Sequence, residues 1–202
     1  MAFLKMSVEA GRGRPFVWRR RIAGVVALVL ALLGSTAAAA PAPPTISEEY
    51  QVKAVFLFNF AQFVEWPARA FRDPTSPLVI GVLGTDPFGT YLDELVKGEK
   101  VGERPLLVRR STRVEDIADC HILFIGASEA SALEKVVAQL KDRSILTVGD
   151  MDLFTRRGGM VRFLTENGKI RLRIYLEAAK AHDLTISSKI LSPATTVGPG
   201  NW

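Results

Sequence analysis

The chain has 202 residues and a formal net charge of +5. Lys5, Arg12, Arg14, Arg19, Arg20 and Arg21 against Glu9 account for all of that excess, so everything after residue 39 is electrically balanced. A nucleic-acid footprint or polyanion steering is therefore excluded for the body of the protein. Cys120 is the only cysteine, which excludes an intrachain disulfide. With His121 and His182 the only histidines, no zinc site of ordinary spacing can form.

Arg19, Arg20 and Arg21 precede an apolar run from Ile22 to Leu33, and Gly34-Ser35-Thr36 then leads into alanines. This is the layout of an export signal. The apolar run is about a dozen residues, short of the roughly 20 that a bilayer-spanning helix needs. Ala37-Ala38-Ala39 satisfies the small-residue cleavage rule, which predicts a signal peptide over 1–39. An uncleaved anchor is the less favoured reading, and Arg19-Arg20 is only a faint twin-arginine signal. The expected compartment is oxidising and lacks ATP and nucleic acid.

Residues 40–46, with Pro41, Pro43 and Pro44, read as an extended linker. Ser47 is placed to cap a helix whose first turn carries Glu48 and Glu49. That helix is expected to run to about Glu65 and to stop before Trp66-Pro67, because the residue before a proline is driven out of helical geometry. On a helical projection Val52, Phe56, Phe60, Phe63 and Val64 form a broad apolar arc with Tyr50, Leu57 and Ala61. Lys53 falls inside that arc. Val55 and Phe58 fall among the polar positions, and Phe58 suggests either a second buried face or a partner contact.

Leu78 to Leu83 is an unbroken apolar run, as in a strand covered on both faces. The turn Gly84-Thr85-Asp86-Pro87-Phe88-Gly89 leads into a short helix ending near Val96, with Asp86 as its expected cap. Further strands are predicted at 104–109, 121–125 and 144–148. A brief connection covers 114–119 and a helix 129–140. Another short helix is expected from Met151 to the stop at Gly158-Gly159. Residues 160–165 and 169–175 flank Asn167-Gly168, the pair that favours a tight antiparallel hairpin. A helix over 176–182 follows, and Ser187-Ser188-Lys189 suits either a helix cap or an edge strand. Residues 198–202 read as a flexible tail. The pattern predicts one α/β domain over 47–197, with a mixed sheet, helices on both faces and a C-terminal antiparallel hairpin.

The stretch from Tyr50 to Phe60 with Phe63-Val64-Glu65-Trp66-Pro67 resembles the opening of the YfiR-like family of periplasmic regulators. Further blocks match in order: Ile80 to Gly84 leading to Asp86-Pro87-Phe88-Gly89, Gly158 to Val161 with Glu166 to Lys169, and Leu184 to Lys189. The resemblance implies a periplasmic, non-enzymatic α/β protein. In the founding member, the regulator binds the periplasmic sensory domain of an inner-membrane diguanylate cyclase and represses it. An outer-membrane lipoprotein can sequester that regulator, which raises cyclic di-GMP. Other relatives accompany membrane sensor kinases. The chain departs from the family in having Cys120 alone, in Tyr175 where many relatives have asparagine, and in Arg171 and Arg173 on the hairpin.

Read for chemistry, the residues give no catalytic, cofactor-binding or metal set. No nucleophile elbow or Ser-His-Asp arrangement is recognisable, and the paired carboxylates sit near helix starts, where the dipole favours them. The segment from Gly81 to Asp86 lacks the lysine and the spacing of a phosphate loop. Cys120 opens an apolar run and is expected to be buried. Lys53 has three readings: its stem threads to water, it pairs with a buried acid, or it binds a ligand carboxylate beside Tyr50 or Trp66. Lys53, Phe58, Glu65 and Trp66 are the candidate contacts for a partner or ligand, although Trp66 also suits simple packing after a core helix. The favoured function is repression or tuning of a diguanylate cyclase or sensor kinase. A small-molecule binding module built on the strand ends and Lys53 is the alternative, a periplasmic enzyme the third reading, and a homodimer is left open.

Overall fold

A computed structural model of the chain describes residues 46–198. The expected signal peptide and its cleavage site, the linker apart from Ile46, and the tail apart from Gly198 lie outside the described residues.

Helix α1 (Glu48–Phe63) starts as the sequence predicts, with Ser47 Oγ accepting the Tyr50 N–H at 3.5 Å. It ends two residues earlier than expected, because Val64 and Glu65 are already extended. They form β1 (Val64–Glu65), which pairs antiparallel with β9 (Thr185–Ile186). The constraint from Pro67 sets the limit, and pairing with β9 supplies the backbone bonds that a longer helix would have made.

The main sheet has eight strands in the order β10-β8-β7-β6-β5-β2-β4-β3. In chain order these are β2 (Leu78–Leu83), β3 (Lys100–Val101), β4 (Arg104–Ser111), β5 (Ile122–Ile125), β6 (Leu146–Gly149), β7 (Val161–Glu166), β8 (Lys169–Tyr175) and β10 (Thr195–Val197). The run from β4 through β2, β5 and β6 to β7 is parallel; β8 is antiparallel to β7, and β3 to β4. Every residue of β2, β5 and β6 is buried, which is why these strands read as continuous apolar runs rather than alternating ones.

Alternate residues of those strands feed two separate cores. One face, through Ile80, Val82, Phe124 and Val148, packs on α1, on α2 (Thr90–Val96) and on the C-terminal elements around α4 (Leu176–Ala181) and α5 (Ser188–Leu191). The other, through Val79, Leu83, Leu123 and Ile125, packs on α3 (Leu133–Gln139) and the short turn Val114–Ile117. Cys120 lies in this second core and is buried as predicted. Ser187 caps α5 by accepting the Lys189 N–H, so the C-terminal block supplies both the strand β9 and a capped helix.

Three local expectations are corrected. Gly89, not Asp86, occupies the cap position of α2; the Asp86 carboxylate instead accepts the Phe88 N–H at 2.7 Å and pairs with Arg110 at 2.6 Å. The helix expected over 129–140 is a 3-10 turn over Ala127–Ala132 before α3 begins. There Arg157 draws the Ala130 carbonyl outward at 2.7 Å, and Ser128 Oγ turns back to accept the Thr85 N–H at 2.9 Å. Residues 151–158 form successive turns instead of a helix, with Leu153 at φ 60° and Gly158 at φ 98°. Neither angle fits a right-handed helix.

Candidate functional site

The C-terminal end of β6 delivers Asp150 beneath the first turns of α1. Lys53, 2 % exposed, reaches Asp150 Oδ2 at 2.6 Å and Glu49 Oε1 at 2.7 Å, and its ammonium lies 4.3 Å from the centre of the Tyr50 ring. The Tyr50 hydroxyl donates to the same Asp150 oxygen at 3.0 Å, and the Thr165 hydroxyl donates to Glu49 at 3.0 Å. Of the three readings of Lys53, the structure shows the second. The amine does not thread to water, because Asp150 meets it inside the arc that the sequence placed it on. Burial, reinforced by the Asp150 charge, pushes the Tyr50 hydroxyl up to about 12, while the bond from Lys53 holds Glu49 below the usual carboxylate range.

Beside this cluster runs an open cleft of about 420 Å³, bordered by Glu49, Tyr50, Lys53, Met151, Arg162 and Glu166. Arg162 is ion-paired with Asp152, and its Nε is buried without a hydrogen-bond partner among the described residues. The cleft has cationic groups, but two of the three Lys53 donors are already bound to carboxylates of the same chain. The turn after β2 is closed in the same way, since a side chain at Gly84 would strike Ser128 Oγ at 2.2 Å. Gly84 there serves close packing.

Trp66 lies at the other end of the strands, far in topology from Lys53, so the two do not form one pocket. Its indole N–H donates to the His121 carbonyl at 3.1 Å, and its ring meets the His121 ring edge-on. His121 is 4 % exposed, and nothing in its sequence context beyond the head of the predicted strand marks it. Its Nδ1 accepts the Val79 N–H at 3.1 Å, so Nε2 carries the proton and donates to the Ala70 carbonyl at 3.2 Å. Phe71 stacks on the imidazole with ring centres 4.3 Å apart, and Arg104 covers the outer face of Phe71. Burial lowers the His121 pKa to about 4. The arrangement pins the Trp66–Phe71 segment to the start of β2 and β5. The one available signal was the position of His121 at the head of an all-apolar strand. An open cleft of about 680 Å³ borders it, lined by Arg69, Arg72, Asp73, Arg109 and Asp119; Arg109 and Asp119 pair with each other at 2.7 Å.

Phe58 is half-buried against the first core, and Glu65 is exposed beside Thr185. The four sequence-chosen residues thus divide: Lys53 and Trp66 fasten α1 and its exit to opposite ends of the sheet, whereas Phe58 and Glu65 lie toward the outside. Cys120 offers no nucleophile, since burial pushes its thiol up to about 12.

The model of the YfiR/HmsC-like family matches residues 50–195, from α1 into β10. The chain belongs to the YfiR/HmsC-like family. The match takes in Tyr50, Lys53 and Asp150 and the Trp66–His121 contact, so this YfiR/HmsC-like chain carries these within the family domain. No curated protein matches it. Several solved structures are remotely similar, two of them as follows. A conserved domain protein from Vibrio cholerae O1 biovar El Tor has 17 % identity and a TM-score of 0.43, over 60 % of this chain and 55 % of that one. An ABC domain from Streptococcus pneumonia, in complex with L-Trp, has 13 % identity and a TM-score of 0.44, over 59 % and 55 %. The YfiR/HmsC-like chain thus spans about half the length of each.

Proposed function

We propose that the protein works in the periplasm as a non-enzymatic regulator: it binds the extracytoplasmic sensory domain of an inner-membrane diguanylate cyclase and represses its output. A membrane sensor kinase is the other target of the same kind. The observation that carries this reading is the family match over 50–195, in a family of periplasmic regulators of diguanylate cyclases. Two further points support it. The leader ahead of Ala39 has the layout of an export signal, and no helix among the described residues is long and apolar enough to cross a membrane. The reactive groups are also occupied within the fold: both His121 nitrogens are bonded, Lys53 is held by two acids, and the Cys120 thiol is buried.

Repression requires only that the protein bind the inactive conformation of the sensory domain better than the active one. A tenfold change in output needs about 1.4 kcal/mol of preference, which a modest interface provides. Competition by an outer-membrane lipoprotein for the same regulator would relieve repression by mass action. The small-molecule alternative has less support, because the lysine it relies on is already neutralised by Glu49 and Asp150.

The test pairs genetics with binding. Deleting the gene raises cellular cyclic di-GMP, and the purified protein binds the isolated sensory domain of the cyclase saturably. Unchanged cyclic di-GMP together with no binding to any periplasmic sensory domain of the host would sink the reading.

A further inference from the structure

In the β7–β8 hairpin, Val161, Phe163, Leu172 and Ile174 belong to the first core. Arg162, Arg171 and Arg173 alternate with them and therefore leave the opposite face of the sheet. The second core on that face is built on β2 and β5, and none of β7, β8 or β10 contributes to it. The hairpin end of the face thus carries arginines and no packed apolar layer.

Arg162 and Arg173 are register partners on the two adjacent strands. Like charges set directly opposite each other destabilise a sheet, and here both side chains are half-buried. The Nε of each is buried with no hydrogen-bond partner among the described residues. A buried donor without an acceptor costs the fold its desolvation energy, the more so on a charged group. Native folds carry few such atoms, and each calls for a reason.

The neighbouring acids do not supply one. Arg162 pairs with Asp152, whose side chain is 93 % exposed, so that pair is weak. Arg173 makes no ion pair among the described residues. Glu166 is the one acid on either strand; it stands in register with Lys169, four residues along the ladder, or about 13 Å, from the arginine pair.

We propose that Arg162 and Arg173 form a binding site for a phosphate-class dianion, held between the two guanidinium groups with exposed Arg171 at the rim. A guanidinium presents Nε and Nη as a fork that fits two oxygens of one oxyanion. One phosphate group between the strands meets both orphaned donors and screens the two positive charges from each other. Arg162, Arg171 and Arg173 against Asp152 leave two positive charges, which a dianion balances and a single carboxylate does not. Taking up the anion requires the Nε edges to turn outward, which the open face permits. Arg162 also borders the cleft beside Lys53, but Lys53 is held by its own acids and takes no part. The site does not depend on the regulatory function proposed above.

The intact protein, isotope-labelled and purified as its host produces it, is titrated with inorganic phosphate and, at matched ionic strength, with acetate. The Nε–H signals of Arg162 and Arg173 should move saturably with phosphate, at least tenfold more tightly than with acetate. Arg162→Gln and Arg173→Gln should each weaken phosphate binding at least tenfold without lowering the thermal midpoint. Arg173→Lys, which keeps the charge and loses the fork, should weaken it at least fivefold, and Arg171→Gln less than threefold. Glycerol phosphate should bind more tightly at pH 7.5 than at pH 5, because a phosphomonoester loses its second proton near pH ~6. Equal responses to phosphate and acetate, shifts confined to Arg69, Arg72 or Arg109, or full affinity in Arg173→Gln would each overturn the proposal. Phosphatidylcholine vesicles containing phosphatidic acid then distinguish the source of the phosphate, and either result upholds the site. Sedimentation with the vesicles that Arg173→Gln abolishes assigns a lipid headgroup, and phosphate binding without sedimentation assigns a soluble phosphate.

Discussion

Lys53 shows how a single residue can look like a binding site and act as a fastener. At 2 % exposure its ammonium is met by Glu49, Asp150 and the face of the Tyr50 ring, and the Asp150 side chain is itself 12 % exposed. Removing one member of such a pair strands the other, whereas replacing both with neutral groups of similar volume costs far less. Lys53→Met is therefore expected to lower unfolding stability by about 3–5 kcal/mol, and Asp150→Asn by a similar amount, while the double variant recovers most of the loss. Glu49→Gln, at a position 41 % exposed, should cost about 1 kcal/mol or less. Urea unfolding of the four variants measures the cycle; strictly additive losses would show that the pair is not coupled. His121 makes a different prediction. Unfolded, its imidazole titrates near 6.5; folded, it titrates near 4, so at intermediate pH the unfolded chain takes up a proton that the native state refuses. Its contribution is complete above about pH 6.5 and is lost progressively as the pH falls toward 4. Between pH 7 and pH 5 the loss should be about 2 kcal/mol, and His121→Gln should be less stable at pH 7 but flatter over that range. A wild-type profile as flat as that of the variant would remove His121 from the account.

At the scale of elements, the sequence was legible wherever one local rule governed. The Ser47 cap, the all-apolar strands β2 and β5, and the Asn167-Gly168 turn, with φ of 52° and 70°, each follow from neighbours in the chain. The failures have a common cause in tertiary contacts. The helical projection gave the arc of α1 correctly around Leu57 and Phe60 but misplaced Val52, because the rotation of a helix is set by what it packs on. Asp150 and His121, which decide the two ends of the sheet, act through partners 97 residues away in one case and 42 and 51 in the other. The segment over 151–158 is the clearest example. Gly158-Gly159 reads as a helix stop, yet no helix precedes it. Phe154, fully buried, lays its ring against Gly149 and Gly159, and a side chain at those glycines would meet the ring at 2.6 Å and 2.1 Å. Gly159→Ala should accordingly cost about 1–3 kcal/mol by overpacking. Phe154→Leu in the same chain should return part of that loss even though it is destabilising alone. Finding Gly159→Ala neutral in denaturant titration would mean that the ring has another place to go.

For the whole molecule, the decisive feature is that one sheet serves two cores. Odd and even residues of β2 and β5 belong to opposite cores, so neither core can come apart without losing the strands that hold the other. The two-stranded β1–β9 pair adds a second tie by joining the exit of α1 to the C-terminal elements. Such an arrangement should unfold as one unit rather than face by face. Cys120 is a built-in reporter of this. It lies at 3 % exposure in the second core, the one that α1 does not touch, with its thiol pushed up to about 12. Native protein should therefore resist thiol reagents at neutral pH. Pulse labelling along a urea gradient should give a midpoint that coincides with the loss of helical circular dichroism, most of which comes from α1, α2, α4 and α5 on the first face. Labelling that precedes the circular dichroism transition would mean that the α3 face opens by itself, and the single sheet would then not couple its two sides.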